Sequence, residues 1–181
     1  ESEIRGFGIP IKEGYHDTLF PDLWNPRQRD LFMGASKAEV PTRPGNTIRK
    51  VYLCRAQSNL ADAGSILFFY KSTSKELPSQ AITALGILEE VTWATSTKDL
   101  MIKTGGRSVY SEAQLEEWRA TSHKPVKVIN FLLVSYVQPS IGLDELRDMG
   151  VVRGNPQQSI YEISAQNLEK LLKRSNLGFS V

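Results

Sequence analysis

Two short stretches of this sequence gather the side chains that could hold a nucleotide. The first opens at Pro44-Gly45-Asn46, which reads as a turn. Asn46 is placed to cap a helix whose inner face is Ile48, Val51 and Tyr52, at i, i+3, i+4 spacing. Backbone N–H groups at a helix start attract an anion such as phosphate. Asn46, Thr47, Arg49, Lys50 and Tyr52 are therefore the candidate residues there. The second stretch is Phe68-Phe69-Tyr70, followed by Lys71-Ser72-Thr73-Ser74. A ring beside cationic and hydroxyl groups has the parts needed to stack one base and hydrogen-bond its edge. Tyr70, Lys71 and Ser72 are the candidates here, and Trp93, ending the next strand, is a candidate second wall. Phe68 is assigned to the core; Tyr70 and Trp93 suit packing and binding equally.

Charge supports the first stretch. The formal net charge of the 181 residues is only +2. Between Arg27 and Arg55, however, seven cations (Arg27, Arg29, Lys37, Arg43, Arg49, Lys50, Arg55) face only Asp30 and Glu39, and such a patch can meet phosphate. A solvated surface explains the same charges equally well.

Other chemistries lack their residues. His16 and His123 have no partner at metal-ligand spacing, and Cys54 is the single cysteine, so no metal site, cofactor or disulfide is expected. Cys54 lies in Val-Tyr-Leu-Cys, an apolar context that assigns it to packing. There is no G-x-S-x-G, no phosphate loop and no complete G-x-G-x-x-G. The adjacent Glu89 and Glu90 would point to opposite sides of a strand, so they make no acid/base pair. No catalytic residue is assigned. The apolar fraction of 40% supports a folded core, no run approaches the ~20 residues of a membrane span, and a reducing, cytoplasmic setting is expected.

The elements that must position these residues differ along the chain. Residues 1–41 are rich in Pro and Gly and read as an N-terminal arm or linker, with a short helix near Asn25–Met33. Phe20, Leu23, Trp24, Leu31 and Phe32 would pin it to the core. Residues 42–181 read as the domain. After the helix at Asn46 come strands at 64–70 and 81–93, with Gly86 at a bulge or close approach. Ser111 and Gln114 form a capping box for a helix burying Leu115 and Trp118. Val126–Val137 is a strand, Ile141–Met149 a short helix stopped by Gly150, and Ser159–Ile163 a last strand. Ser164 caps a final helix with Leu168, Leu171 and Leu172 inward. Adjacent strands with irregularly placed helices predict an α+β fold: a small, curved or barrel-like sheet with flanking helices.

These segments resemble a known family. Gly64-Ser-Ile-Leu-Phe-Phe-Tyr-Lys-Ser72 resembles the EVE-domain segment Gly-Asp, apolar residues, Phe-Tyr-His-Ser, with Ser65 in place of Asp and Lys71 in place of His. Ile82–Val91 is similar to the following Ile-x-Gly-Ile-x-x-Val strand. Phe131–Leu146 and Ser159–Ser164 look like the later strands. The resemblance covers about residues 42–175 and implies a PUA-like module. It implies recognition of DNA or RNA, including a modified base in an aromatic-lined pocket, beside a fused or associated catalytic domain. The related ASCH domains carry G-x-K-x-x-E-x-R. Of the corresponding Gly45, Thr47, Lys50 and Tyr52 only the glycine agrees, which argues against ribonuclease activity. The alternatives are an ASCH-type RNA-processing enzyme using Lys50, Tyr52 or Lys71 as acid, base or phosphate-stabilising group, and a regulatory appendage to a larger catalytic protein.

Overall fold

The computed structural model describes residues 4–23, 48–105, 110–154 and 158–175. Six strands form one mixed sheet: β1 (Gly6–Ile11), β2 (Arg49–Cys54), β3 (Ile66–Lys71), β4 (Ala81–Ala94), β5 (Val126–Gly142) and β6 (Tyr161–Ile163), in the order β2-β5-β4-β3-β1-β6. The helices are α1 (Glu13–Leu19), α2 (Thr97–Thr104), α3 (Glu112–Glu117), α4 (Leu143–Asp148) and α5 (Ala165–Arg174), with a 3₁₀ turn at Pro21–Leu23. The fold is α+β.

The expected arm is part of the sheet. Gly6–Ile11 forms an inner strand, parallel to β3 and antiparallel to β6. Its glycines and proline, which suggested a linker, have positional reasons. A Cβ at Gly8 would overlap the Tyr161 ring on the neighbouring strand. The β6 pairing ends at Gly8↔Tyr161, so Pro10 lies beyond it, where a missing N–H removes no bond on that side. Phe20 is fully buried and Leu23 packs on the same cluster, as anchors should. Trp24, Leu31, Phe32 and the helix near Asn25–Met33 lie outside the described residues.

The expected helix from Asn46 is strand β2, from Arg49 on. Val51 and Leu53 pack on one side, Tyr52 and Cys54 on the other. A strand buried on both faces shows apolar residues at odd and even positions, and Ile48, Val51 and Tyr52 then imitate helical spacing. The other strands agree with the sequence. In β3, Phe68 and Tyr70 face one cluster, Leu67 and Phe69 the other. At Gly86 a Cβ would lie 2.8 Å from the Leu132 carbonyl oxygen and from the Phe131 ring, and β4 shifts register beside it. The Ser111–Gln114 capping box is fully formed. Helix α2 was not anticipated; Ser96 caps it and Gly105 ends it in the left-handed conformation.

The sheet curls without closing. Residues of β2 and β1 belong to one hydrophobic cluster, with Phe7, Ile9, Cys54, Phe69 and Phe131, although three strands separate them in the sheet. The Tyr52 hydroxyl bridges that gap to the Pro10 carbonyl at 3.4 Å. Helices α4 and α5 cover the outer face over Phe68, Ile82 and Ile141; α2 and α3 cover Val51, Leu53 and Val128.

If β1 is integral, a chain lacking residues 1–12 has no cooperative thermal transition, and Phe7→Ala costs about 3–5 kcal/mol in denaturant unfolding. A truncated chain melting within a few degrees of the parent would restore the arm reading.

Candidate nucleic-acid interface

A cavity opens where the curl brings strand ends together. It has a volume of about 860 Å³. The C-terminal ends of β1 and β3 contribute Pro10, Lys12, Tyr70, Ser72 and Thr73. The approaches to β4 and β6 contribute Gln80 and Gln158–Ile160. Tyr52, Leu53, Cys54, Arg55 and Ala56 come from the end of β2, Tyr15 from α1, and Trp118 from the end of α3. The opening exists because β6 stops pairing at Gly8 while β1 continues to Ile11.

Lys12 and Arg55 line this cleft, and among the described residues no Asp or Glu does. It is therefore electropositive despite the modest net charge. The Arg55 guanidinium lies 5.4 Å over the Trp118 ring and donates to the Trp118 carbonyl oxygen. Tyr70 is 3% exposed; its ring packs with Phe68, Ile82 and Leu168. Its hydroxyl is shielded and, among the described residues, has no hydrogen-bond partner. Burial raises the Tyr70 and Tyr52 phenols above their ordinary range, so both stay neutral and can donate. Burial also raises the Cys54 thiol, which keeps it protonated.

The sequence candidates divide. Tyr52, Tyr70 and Ser72 line the cleft together. Tyr70 is nevertheless 3% exposed, and a ring this buried has no free face for the expected stacking. Arg49 is exposed and pairs with Glu89 at 3.1 Å. Lys50 points inward, 4% exposed, with its ammonium 5.9 Å from the Phe20 ring. Burial pushes its pKa from 10.5 down to about 8, against the pull of Asp22. The segment is a strand, so from Arg49 on it offers no helix start to hold a phosphate. Lys71 is 1% exposed and salt-bridged to Asp17 at 3.0 Å. Trp93 sits away from the cleft, its ring 4.9 Å from the Lys127 ammonium. Asn46 and Thr47 lie outside the described residues. Of Lys50, Tyr52 and Lys71, the set for an enzymatic reading, only Tyr52 reaches the cleft.

Lys12, Tyr15, Arg55, Trp118 and Gln158 are not among the sequence candidates for the site, and Trp118 is expected instead to face inward from its helix. Arg55 was visible as the last cation of the basic stretch. Lys12 and Tyr15 were hidden in the presumed arm.

His16 also emerged only from the structure. Its Nε2 lies 2.6 Å from the Thr83 hydroxyl, and its Nδ1 lies 2.9 Å from Asp17. Burial lowers its pKa against the pull of Asp17. A carboxylate only accepts, so Nδ1–H donates to Asp17 and Nε2 accepts the Thr83 proton. The order of groups is that of a hydrolytic triad, but Thr83 and His16 are sealed in the core. The network ties α1 to β4. Among the described residues, no three His, Cys, Asp or Glu side chains come together as a metal site, and no helix is long and apolar enough to cross a membrane.

No family model and no curated protein matches the sequence. Solved structures do match. ASCH from Zymomonas mobilis aligns with TM-score 0.61 and 16% identity, over 93% of this chain and 94% of that one. Human THYN1, solved in complex with 5-methylcytosine-containing DNA, aligns with TM-score 0.51 and 12% identity, over 95% and 98%. The chain has the ASCH/PUA-like fold.

Lys50 offers a test of the buried site. Its folded pKa is below the unfolded value, so between pH 8 and 10.5 the unfolded chain holds a proton that the native state lacks, and stability rises with pH. Below pH 8 the native state carries the full cost of a buried ammonium, on the order of 3 kcal/mol. Lys50→Met therefore stabilises the protein at pH 7 by up to about that amount, and the gain shrinks toward pH 10. Denaturant unfolding at both pH values checks this; a destabilised variant or a pH-independent difference contradicts it.

Proposed function

We propose that this chain is a nucleic-acid-binding module, for DNA or RNA, that seats one unpaired base in the cleft. The observation that carries the reading is a cleft that holds two cations and, among the described residues, no carboxylate, with Tyr70 in its lining and the Tyr70 hydroxyl buried and, among the described residues, unpartnered. A polar group left without a partner costs stability that a ligand's hydrogen bond can offset. Lys12 and Arg55 suit the phosphates on either side, and Trp118, with Arg55 across its face, is a stacking platform at the rim. A cleft of this volume accommodates a nucleotide. Its hydroxyl and amide groups, Ser72, Thr73, Gln80 and Gln158, give it the means to read a base edge. A modified base is the preferred ligand in this proposal. Support comes from the shared fold of THYN1, which was solved on 5-methylcytosine-containing DNA. A reducing compartment such as the cytoplasm is the proposed setting.

Fluorescence titration against single-stranded DNA and RNA oligonucleotides, with and without 5-methylcytosine, tests the reading. Binding is expected to weaken with salt, and Lys12→Ala with Arg55→Ala is expected to reduce the log–log salt slope by up to ~2. Tyr70→Phe gives an opposed pair of effects. It removes an unsatisfied buried hydroxyl, so the melting temperature holds or rises. It also weakens binding by about 0.5–1.5 kcal/mol through the lost hydrogen bond. No binding, or binding indifferent to all three substitutions, excludes the cleft.

A further inference from the structure

Beside the cleft lies a second, smaller pocket of about 210 Å³, and the two share Tyr15, Arg55 and Trp118 as walls. Among the described residues, its remaining lining is Tyr110, Gln114 and Glu117. The aromatic rings surround it at several angles. Tyr15 and Tyr110 are 5.6 Å apart at 54°, and Tyr110 meets Trp118 edge-on at 6.5 Å. Tyr15 keeps 42% of its surface exposed. Such rings offer a base a face, an edge and a van der Waals enclosure.

Charge separates the two chambers. The side pocket has a carboxylate, Glu117, where the cleft has none among the described residues. A carboxylate repels phosphate but accepts N–H donors from a base edge. The group suited to the side pocket is thus a base and not a phosphate. Arg55, on the dividing wall, is the cation that a linking phosphodiester would pass between the two chambers.

We propose that the side pocket is a second base subsite, so that the protein reads a two-nucleotide step of a single strand, with the linking phosphate at Arg55. This rests on the cleft binding a nucleotide and extends it: a lone flipped base would need only the cleft. Stacked neighbours in a duplex cannot separate into two chambers divided by a side-chain wall, so the ligand class is unpaired, single-stranded nucleic acid.

Calorimetric titration with short probes tests this. The probes are 5-methyldeoxycytidine monophosphate, dinucleotides extending it by deoxyguanosine on the 5′ or 3′ side, and the same dinucleotides with an abasic sugar in the added position. At least one dinucleotide is expected to bind roughly five- to a hundredfold tighter than the mononucleotide, and its abasic counterpart to lose that gain. Trp118→Ala should bring the dinucleotide-to-mononucleotide affinity ratio close to one, whatever it does to the mononucleotide, and Trp118→Phe should restore most of the ratio. Thermal melting of both variants confirms that they are folded. Equal affinities for mononucleotide and dinucleotides, or a gain that survives removal of the base, overturn the second subsite and leave the cleft reading standing. Failure of every probe to bind overturns the cleft reading, and the subsite with it.

Discussion

Strand β3 has no solvent-exposed face, and the rest of the structure follows from covering both of its sides. Phe68 and Tyr70 point into one cluster, Leu67 and Phe69 into the other, and all four are essentially buried. A strand of this kind needs a neighbour on each side and a layer over each face. β4 supplies one neighbour through a hairpin, and β1, from the start of the chain, supplies the other. The curl of the sheet covers the inner face, while α4 and α5 cover the outer one. The strand carries its burial one residue too far for comfort, because Lys71 continues the Leu67–Phe69 face inward. An unpaired buried ammonium would cost several kcal/mol. Asp17 on α1 provides its counter-charge, and the same carboxylate orients His16 toward Thr83 on β4. Helix α1 is thus held by a buried charge as well as by Leu19 and Phe20. This also explains why Lys71, beside a polar loop in sequence, is not a surface cation.

Sequence reasoning succeeded where one signal sufficed. The aromatic run of β3, the long β5, the Ser111 capping box and the Ser164 cap each carry their own local instruction, and each lies where it was read. It failed where the reason for a residue lies in a distant part of the chain. Gly8 is glycine because Tyr161 crosses it, and Pro10 is allowed because β6 has ended; neither fact can be read from residues 6–11. Strand β2 resembles a helix in sequence because burial on both faces erases the period-two alternation. Helix α2 was legible: Ser96, Asp99 and Gly105 form a start and a stop, but its weakly apolar inner face gave no periodicity to notice.

For the candidate site, Tyr52, Tyr70 and Ser72 are the sequence candidates that line the cleft, and most of the described lining is not legible in the sequence, because linear charge density is a poor guide to surface field. Of the described cations in the basic stretch, Arg49 is answered by Glu89, Lys50 is inside, and only Arg55 reaches the cleft. Lys12, which joins it there, comes from a segment with no basic excess. The field of the cleft is set by which strand ends converge and by the absence of acids among the described residues around it, and both are properties of the fold.

The cleft has a fixed floor and a replaceable rim. Tyr70 is held by the core over most of its ring, so the position of its hydroxyl is set by the packing of β3 against α5 and β4. Ser72, Thr73, Gln80 and Gln158 lie instead in connections, where substitutions leave the sheet intact. A preorganised donor inside an adaptable ring is the arrangement that lets one fold keep a binding geometry while changing what it selects. The hydroxyl also carries a cost. Phenylalanine would fill the same space without leaving a buried oxygen unpaired, a difference of about 1–3 kcal/mol in favour of the ring without it. Other buried polar groups near it are answered: Lys71 by Asp17, His16 by Thr83, Ser175 by the Leu171 carbonyl. Among the described residues the Tyr70 and Thr92 hydroxyls are the buried side-chain groups left without a hydrogen-bond partner, and of the two only Tyr70 belongs to a residue that lines the cleft.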